Sequence, residues 1–303
     1  MKKNKVLGNI ILFATAIIWG SSFVFQHESA AVTPPYTYSA ARITLAAAAL
    51  WILTLIMEKS DIGGYSPAKH PEMQTKDFWI GGIVCGVFLT GGTTLQQLGI
   101  GLTTAGKSAF VTALYTVLVP LFGWLVYKQK LTGRRIFGAC LAMCGLYILC
   151  VREDLTIGKG ELITFVAAIC FAFQMLSVEK YIQTNNPIKL SAVQFTVCAV
   201  LDWLLAIIFE TPSWELIEPS LVSIIYVGLI SGALGYTTQI IGQGMTDASI
   251  GAAICSLESV FAALAGWIFL HEVMSPKELL GAAMMFAAVI IVQLPSFGKA
   301  EGD

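Results

Sequence analysis

The sequence predicts an all-α integral membrane protein, with ten transmembrane helices arranged as two inverted five-helix repeats. Three observations carry this expectation. Of the 303 residues, 56% are hydrophobic and 12% charged, with a mean hydropathy of +0.75, whereas soluble domains carry about 25% charged residues. Apolar runs of about 20 residues recur throughout, each long enough as a helix to cross a hydrocarbon core about 30 Å thick. The chain also superposes on itself, with the second half following the first.

In order, the apolar runs cover about 6–26, 36–57, 78–102, 106–127 and 136–150, then 162–181, 188–209, 221–244, 249–270 and 279–294. They are continuously apolar, which excludes the alternating strands of a membrane barrel. The opening MKKNK resembles a secretion signal, but the apolar run behind it exceeds a signal's 7 to 15 residues, so it reads as the first permanent helix. Breakers mark the joints, among them Pro34-Pro35, Gly63-Gly64, Pro187, Pro219 and Pro276. Two repeat units, 1–152 and 159–297, each hold five helices.

Basic residues orient the bundle. With the N-terminus in the cytoplasm, thirteen Lys and Arg lie on the inner side and four on the outer, and Arg42 lies within the second helix. This places both termini in the cytoplasm of a multi-pass protein of a bacterial-type cytoplasmic (plasma) membrane. The acidic stretch 210–219 becomes an outer loop. The seven cysteines include no CxxC, which argues against a disulfide framework or zinc site. Cys140 and Cys144 read as small packing residues on one helix face.

An offset of 143 lays helices 3 to 5 on helices 8 to 10 without a gap. It pairs Thr94 with Thr237, Gln96 with Gln239, Gly99 with Gly242, Gly123-Trp124 with Gly266-Trp267 and Gly138 with Gly281. An offset of 152 pairs Pro35 with Pro187, Thr44 with Thr196 and Trp51 with Trp203. In helices 1 and 6, Trp19-Gly20 is set against Phe173-Gln174. Five is odd, so the second repeat enters the membrane from the opposite side. Inverted repeats are a recurrent basis of alternating access.

Polar residues at bilayer depth face a cavity or one another. In helix 8, Gly232, Tyr236, Gln239 and Gln243 share a face, and their repeat partners include Thr93 and Gln96. The bland reading is hydrogen bonding between helices. Glu258, near the middle of helix 9, is the sharpest feature, because a carboxyl there can take up and release a proton during a cycle. Arg42 is its natural counterpart, as an ion-pair partner or as a two-pronged site for a substrate carboxylate. Asp202 ranks below Glu258, since its repeat partner is Leu50. Trp19 and Ser22 share a face of helix 1 with Gln26. Tyr115, with Thr112 and Val119 nearby, is the partner of Glu258. Trp51 and Trp203 read as packing or lipid-facing residues.

Other chemistry is absent from the pattern. His27-Glu28 and His271-Glu272 lack the second histidine of a zinc-protease helix, and there is no Walker loop. Gly81-Gly82 and Gly91-Gly92 indicate close helix packing.

Ile18-Trp19-Gly20-Ser21-Ser22-Phe23, the run QQLGIGLTTAGKSAFVTALYTVLVPLFGWLVYKQKL from Gln96 to Leu131, and SLESVFAALAGWIFLHE from Ser256 to Glu272 resemble EamA-type members of the drug/metabolite transporter superfamily. The resemblance covers nearly the whole chain and makes each repeat an EamA module. It implies a secondary transporter with cytoplasmic termini and a central cavity lined mainly by helices 1, 3, 4, 6, 8 and 9. Glu258 then matches the family's Leu-Glu-Pro, Arg42 its arginine in helix 2 and Trp19 its Trp-Gly. Ser259 replaces the proline, so a helix break tied to that proline is not implied.

These readings converge on a secondary active transporter, an exporter, of a small polar or zwitterionic metabolite such as an amino acid, by alternating access, with protons as the candidate coupling ion. The expected cavity comprises Trp19, Ser22, Arg42, Thr93, Gln96, Tyr115, Gln174, Tyr236, Gln239, Gln243 and Glu258. The expected partners are a small-molecule substrate, the lipid bilayer and protons, with no cofactor, metal or nucleic acid, and the chain is a monomer or weak dimer. A multidrug or quaternary-amine exporter of the same fold is the alternative. A membrane-embedded enzyme is the distant one.

Overall fold

A computed structural model describes residues 5–60, 76–128, 132–150, 157–181, 186–245 and 254–293, excluding the side chains of residues 60, 127, 187, 240, 243, 244 and 293. The first repeat contains α1 (Lys5–Ala30), α2 (Pro35–Ser60), α3 (Lys76–Ile100), α4 (Ala105–Ala113 continued by Tyr115–Tyr127) and α5 (Gly133–Cys150). The second contains α6 (Lys159–Tyr181), α7 (Pro187–Phe209), α8 (Leu221–Ile225, Tyr226–Gly235 and Tyr236–Met245), α9 (Glu258–Phe269) and α10 (Pro276–Gln293). Among the described residues eight spans are long and apolar enough to cross a membrane, and α9 is a shorter apolar helix. Gly63-Gly64 and the loop around them lie outside the described residues.

Local chemistry fixes the helix ends. Asn186 Oδ1 accepts from the backbone N–H groups of Ile188 and Lys189 at the start of α7, and Thr104 Oγ1 accepts from Lys107 N at the start of α4. Ser275 and Glu278 cap α10 reciprocally, Ser275 N donating to Glu278 Oε2 and Glu278 N to Ser275 Oγ. Among the described residues, two non-glycine residues have positive φ, Lys128 and His271, both at 54°. They end α4 and α9, and they are repeat partners. The His271-Glu272 pair is thus part of a helix end: Glu272 accepts from Ala105 N at 2.7 Å and Gly106 N at 3.2 Å, joining α9 to the N-terminus of α4.

Packing repeats with the sequence. α1 lies against α8 and α9, and α6 lies against α3 and α4; α2 meets α7, α5 meets α10, and α4 meets α9. Each contact is its own equivalent or has an equivalent under exchange of the repeats, as a two-fold axis in the membrane requires. The α2–α7 seam shows this at atomic level. Trp51 Nε1 donates to Thr196 Oγ1 at 2.8 Å, and Trp203 Nε1 donates to Thr44 Oγ1 at 2.9 Å. At one end of the seam Glu210 accepts from Tyr36 N, Thr37 N and Thr37 Oγ1; at the other Glu58 accepts from Lys189 Nζ at 2.8 Å. Glu58 and Glu210 are partners, as are Thr37 and Lys189. The two tryptophans are therefore rivets between repeats.

Close contacts correct one pairing. Gly99 packs on Gly160 and Thr164, while Gly242 packs on Gly8 and Leu12. These contacts match when α1 and α6 are offset by 152. Trp19 therefore corresponds to Phe171, and Ser22 to Gln174, instead of Trp19-Gly20 to Phe173-Gln174.

Large apolar side chains such as Ile207, Ile208, Val222 and Trp267 are exposed, which is the natural outer surface of a bundle whose solvent is lipid. Cys140 and Cys144 are also exposed, so they are not packing residues, and all seven cysteines are free.

Candidate functional site

α4 and α9 break at the same place. Leu114 (φ −59°, ψ −21°) and Leu257 (φ −61°, ψ −14°) each precede a fresh helix, beginning at Tyr115 and Glu258. No proline stands at either break, and Pro120 lies further along α4. At the turn Thr116 Oγ1 donates to Ala113 O at 2.7 Å, and its partner Ser259 Oγ donates to Ser256 O at 3.0 Å beside the Ser259 backbone N–H at 3.4 Å. Glu258 thus lies in the first turn of a helix. Tyr115 OH lies 3.5 Å from Glu258 Oε1.

Around this pair is a cavity of about 410 Å³. Trp19, Ser22, Arg42, Thr93, Gln96, Tyr115, Gln174, Tyr236, Gln239 and Glu258 all line it. The Gln243 side chain lies outside the described residues. Residues of α2 and α7 complete the wall, so the lining is broader than the six helices expected. Gln26, Thr112, Phe171, Ser191, Gln194 and Ser231 also contribute. Gln194 and Phe171 were legible in principle, as the repeat partners of Arg42 and Trp19.

Aromatic rings form one side. Trp19 and Tyr236 have centroids 5.4 Å apart, and Phe195 meets Tyr236 edge-on at 5.1 Å. Trp19 Nε1 donates to Ser231 O at 3.0 Å. Amides bond along the rest of the wall, with Gln96 Nε2 donating to Thr112 Oγ1 at 3.1 Å and Gln174 Nε2 to Gln194 Oε1 at 2.9 Å.

Arg42 is 6% exposed. Its guanidinium lies 5.6 Å from the Tyr38 ring centroid, and Nη2 donates to Thr93 O at 3.4 Å, while Nε has no hydrogen-bond partner among the described residues. Among the described residues no ion pair joins Arg42 to Glu258. Asp202 is fully buried behind the cavity wall, accepting from Thr94 Oγ1 at 2.6 Å and from Cys198 Sγ at 3.5 Å. It does not line the cavity.

The two ends of the cavity are bounded by different chemistry. At the end away from Lys5, Ser223 Oγ donates to Phe25 O and accepts from Tyr38 OH at 2.6 Å, while Thr33 Oγ1 donates to Leu216 O and accepts from Ser220 Oγ. At the other end Leu190, the partner of Tyr38, packs with Phe78, Val193 and Tyr181. The cavity reaches as far as Glu179 and Leu190 on that side.

Inverted repeats around a central, mixed polar and aromatic cavity define a multi-pass membrane transporter rather than an enzyme. The EamA-like transporter family matches residues 6–151 and 158–294, one match per repeat, and the chain belongs to that family. It is 28% identical over 290 residues to an uncharacterized transporter of Archaeoglobus fulgidus, covering 96% of this chain and 87% of the relative. The uncharacterized transporter YvbV of Bacillus subtilis is 22% identical, covering 95% of this chain and 92% of the relative. A WAT1-related chloroplastic protein of Arabidopsis thaliana is 20% identical, with 94% and 69% covered. A solved crystal structure, 18% identical, superposes with a TM-score of 0.65 over 95% of this chain and 98% of its own, which is evidence for the fold.

Proposed function

We propose that the protein is a secondary active exporter of a small zwitterionic metabolite, of which an amino acid is the type, working by alternating access with proton coupling at Glu258. One observation carries the reading: a buried guanidinium and a buried carboxyl, Arg42 and Glu258, face one cavity without pairing with each other among the described residues. Ionisable groups held apart at bilayer depth are costly unless a ligand, a proton or water completes them. A zwitterion completes both, its carboxylate on Arg42 through paired N–H donors and its ammonium toward Glu258 and the rings. The excess of Lys and Arg on one side supports cytoplasmic termini in a bacterial-type plasma membrane.

Proteoliposome flux across a panel of amino acids, amines, nucleosides and organic acids tests the proposal. Flux of an amino acid, lost for its decarboxylated amine, is the expected result. Flux of none would overturn it. The aromatic wall of Trp19 and Tyr236 favours a second reading, quaternary-amine export, and inhibition of flux by lipophilic cations in the same assay separates the two.

A further inference from the structure

The second repeat is one residue longer than the first at a single place in the cavity wall. Gly92 abuts the Phe171 ring and Gly235 abuts the Trp19 indole; a methyl group on either would come within 2.7 Å and 2.5 Å of those rings. These contacts agree with the offsets of 143 and 152. Two turns earlier, Gly86 faces Gln194 O and Val197, and Gly228 faces Arg42 O and Leu45. Arg42 and Gln194 are partners at 152, and so are Leu45 and Val197, which makes Gly86 and Gly228 equivalent. They are 142 apart, not 143. Between Gly228 and Gly235, α8 therefore holds six residues where α3 holds five.

The structure accommodates the extra residue visibly. Tyr226–Gly235 is wound as a π-helix, whereas α3 is an α-helix throughout Lys76–Ile100. A π-turn absorbs an inserted residue without shifting the helix on either side, and such turns concentrate at functional sites. Within it, Ser231 O accepts the Trp19 indole N–H. The equivalent Phe171 has no N–H to give. Both departures from symmetry, the added residue and the added donor, thus meet in one hydrogen bond.

We infer that the extra residue of α8 is a positioning device: by opening the π-turn it brings the Ser231 carbonyl to Trp19 and fixes that ring as the aromatic wall of the cavity. The role assigned to the ring rests on the transport reading, but the geometry does not. Because α3 shows that the shorter helix suits the same packing, α8 can lose a residue and keep both flanks in register. Leu234 is the one to remove, since it is 45% exposed on the outer surface.

The test uses the full-length chain in nanodiscs with 5-fluorotryptophan at position 19, and it needs no substrate, so a protein that moves nothing in the flux panel still answers it. The variant lacking Leu234 is expected to fold, while one lacking Val87, the outward residue of the matching stretch of α3, is expected not to. In the first, the fluorine resonance of position 19 shifts or splits by more than its linewidth. Failure of the Leu234 deletion to fold, or folding of both deletions, overturns the register. A folded Leu234 deletion with an unchanged resonance overturns the positioning role.

Discussion

Tyr115 and Glu258 stand 143 residues apart in the chain and 3.5 Å apart in the cavity, each at the other's place in the repeat. An exact two-fold would set identical groups against each other there. Two carboxyls so close would repel and two phenols would carry no charge, so the departure from symmetry is what gives the centre a single ionisable acid with a hydroxyl beside it. Glu258→Gln keeps the shape and removes the proton site. Flux in proteoliposomes is expected to lose its dependence on pH while the purified protein elutes and melts as the parent does. Unchanged pH dependence would remove Glu258 from coupling.

Arg42→Gln copies the residue that the second repeat carries, Gln194, and the protein is expected to fold. A charge-assisted hydrogen bond contributes about 1.5 to 3 kcal/mol, so apparent affinity for a carboxylate-bearing substrate should fall by about tenfold or more, while a decarboxylated analogue is little affected. Competition assays with the two compounds measure this. Equal losses for both would assign Arg42 a structural role.

Tyr38→Phe removes the hydroxyl that donates to Ser223 at the closed end. One net hydrogen bond contributes about 1 kcal/mol, enough to raise the open population at that end by about fivefold. Labelling of Ser22→Cys by an impermeant thiol reagent, in a background freed of the seven native cysteines, should quicken from that side.

Trp51→Phe and Trp203→Phe each break one rivet between α2 and α7. Each is expected to cost about 0.5 to 1.5 kcal/mol. The bonds share no partner, so the double variant should lose close to the sum. Thermal unfolding of the purified protein tests this.

The fold was legible because both of its signals are periodic and long: apolar runs of membrane length and a self-offset that survives divergence. Ten of the eleven proposed cavity residues fall on one cavity, while other polar groups at depth, Gln97 and Asp202 among them, are buried away from it and bond within the helix packing. Finer features depended on geometry that periodicity does not carry. The breaks at Leu114 and Leu257 coincide with Thr116 and Ser259 bonding back to carbonyls, and no proline stands at either break, Pro120 lying further along α4, so nothing in the sequence marks their place. Trp51 and Trp203 read as bland because a ring on an apolar helix says nothing of where its N–H points. The gapless offset failed in α8 because a π-turn hides an inserted residue, leaving the residues after it in step.

The seam between α2 and α7 reads the same from either side, with Trp51 on Thr196 and Trp203 on Thr44. That is the signature of an isologous contact, the kind that joins two identical subunits. A five-helix chain carrying one such tryptophan and threonine could bind a copy of itself inserted upside down, forming both bonds at once. Covalent fusion of such a pair adds nothing to this seam. What it adds is licence for the halves to differ, and the charges at positions 42 and 258 are what that freedom allowed.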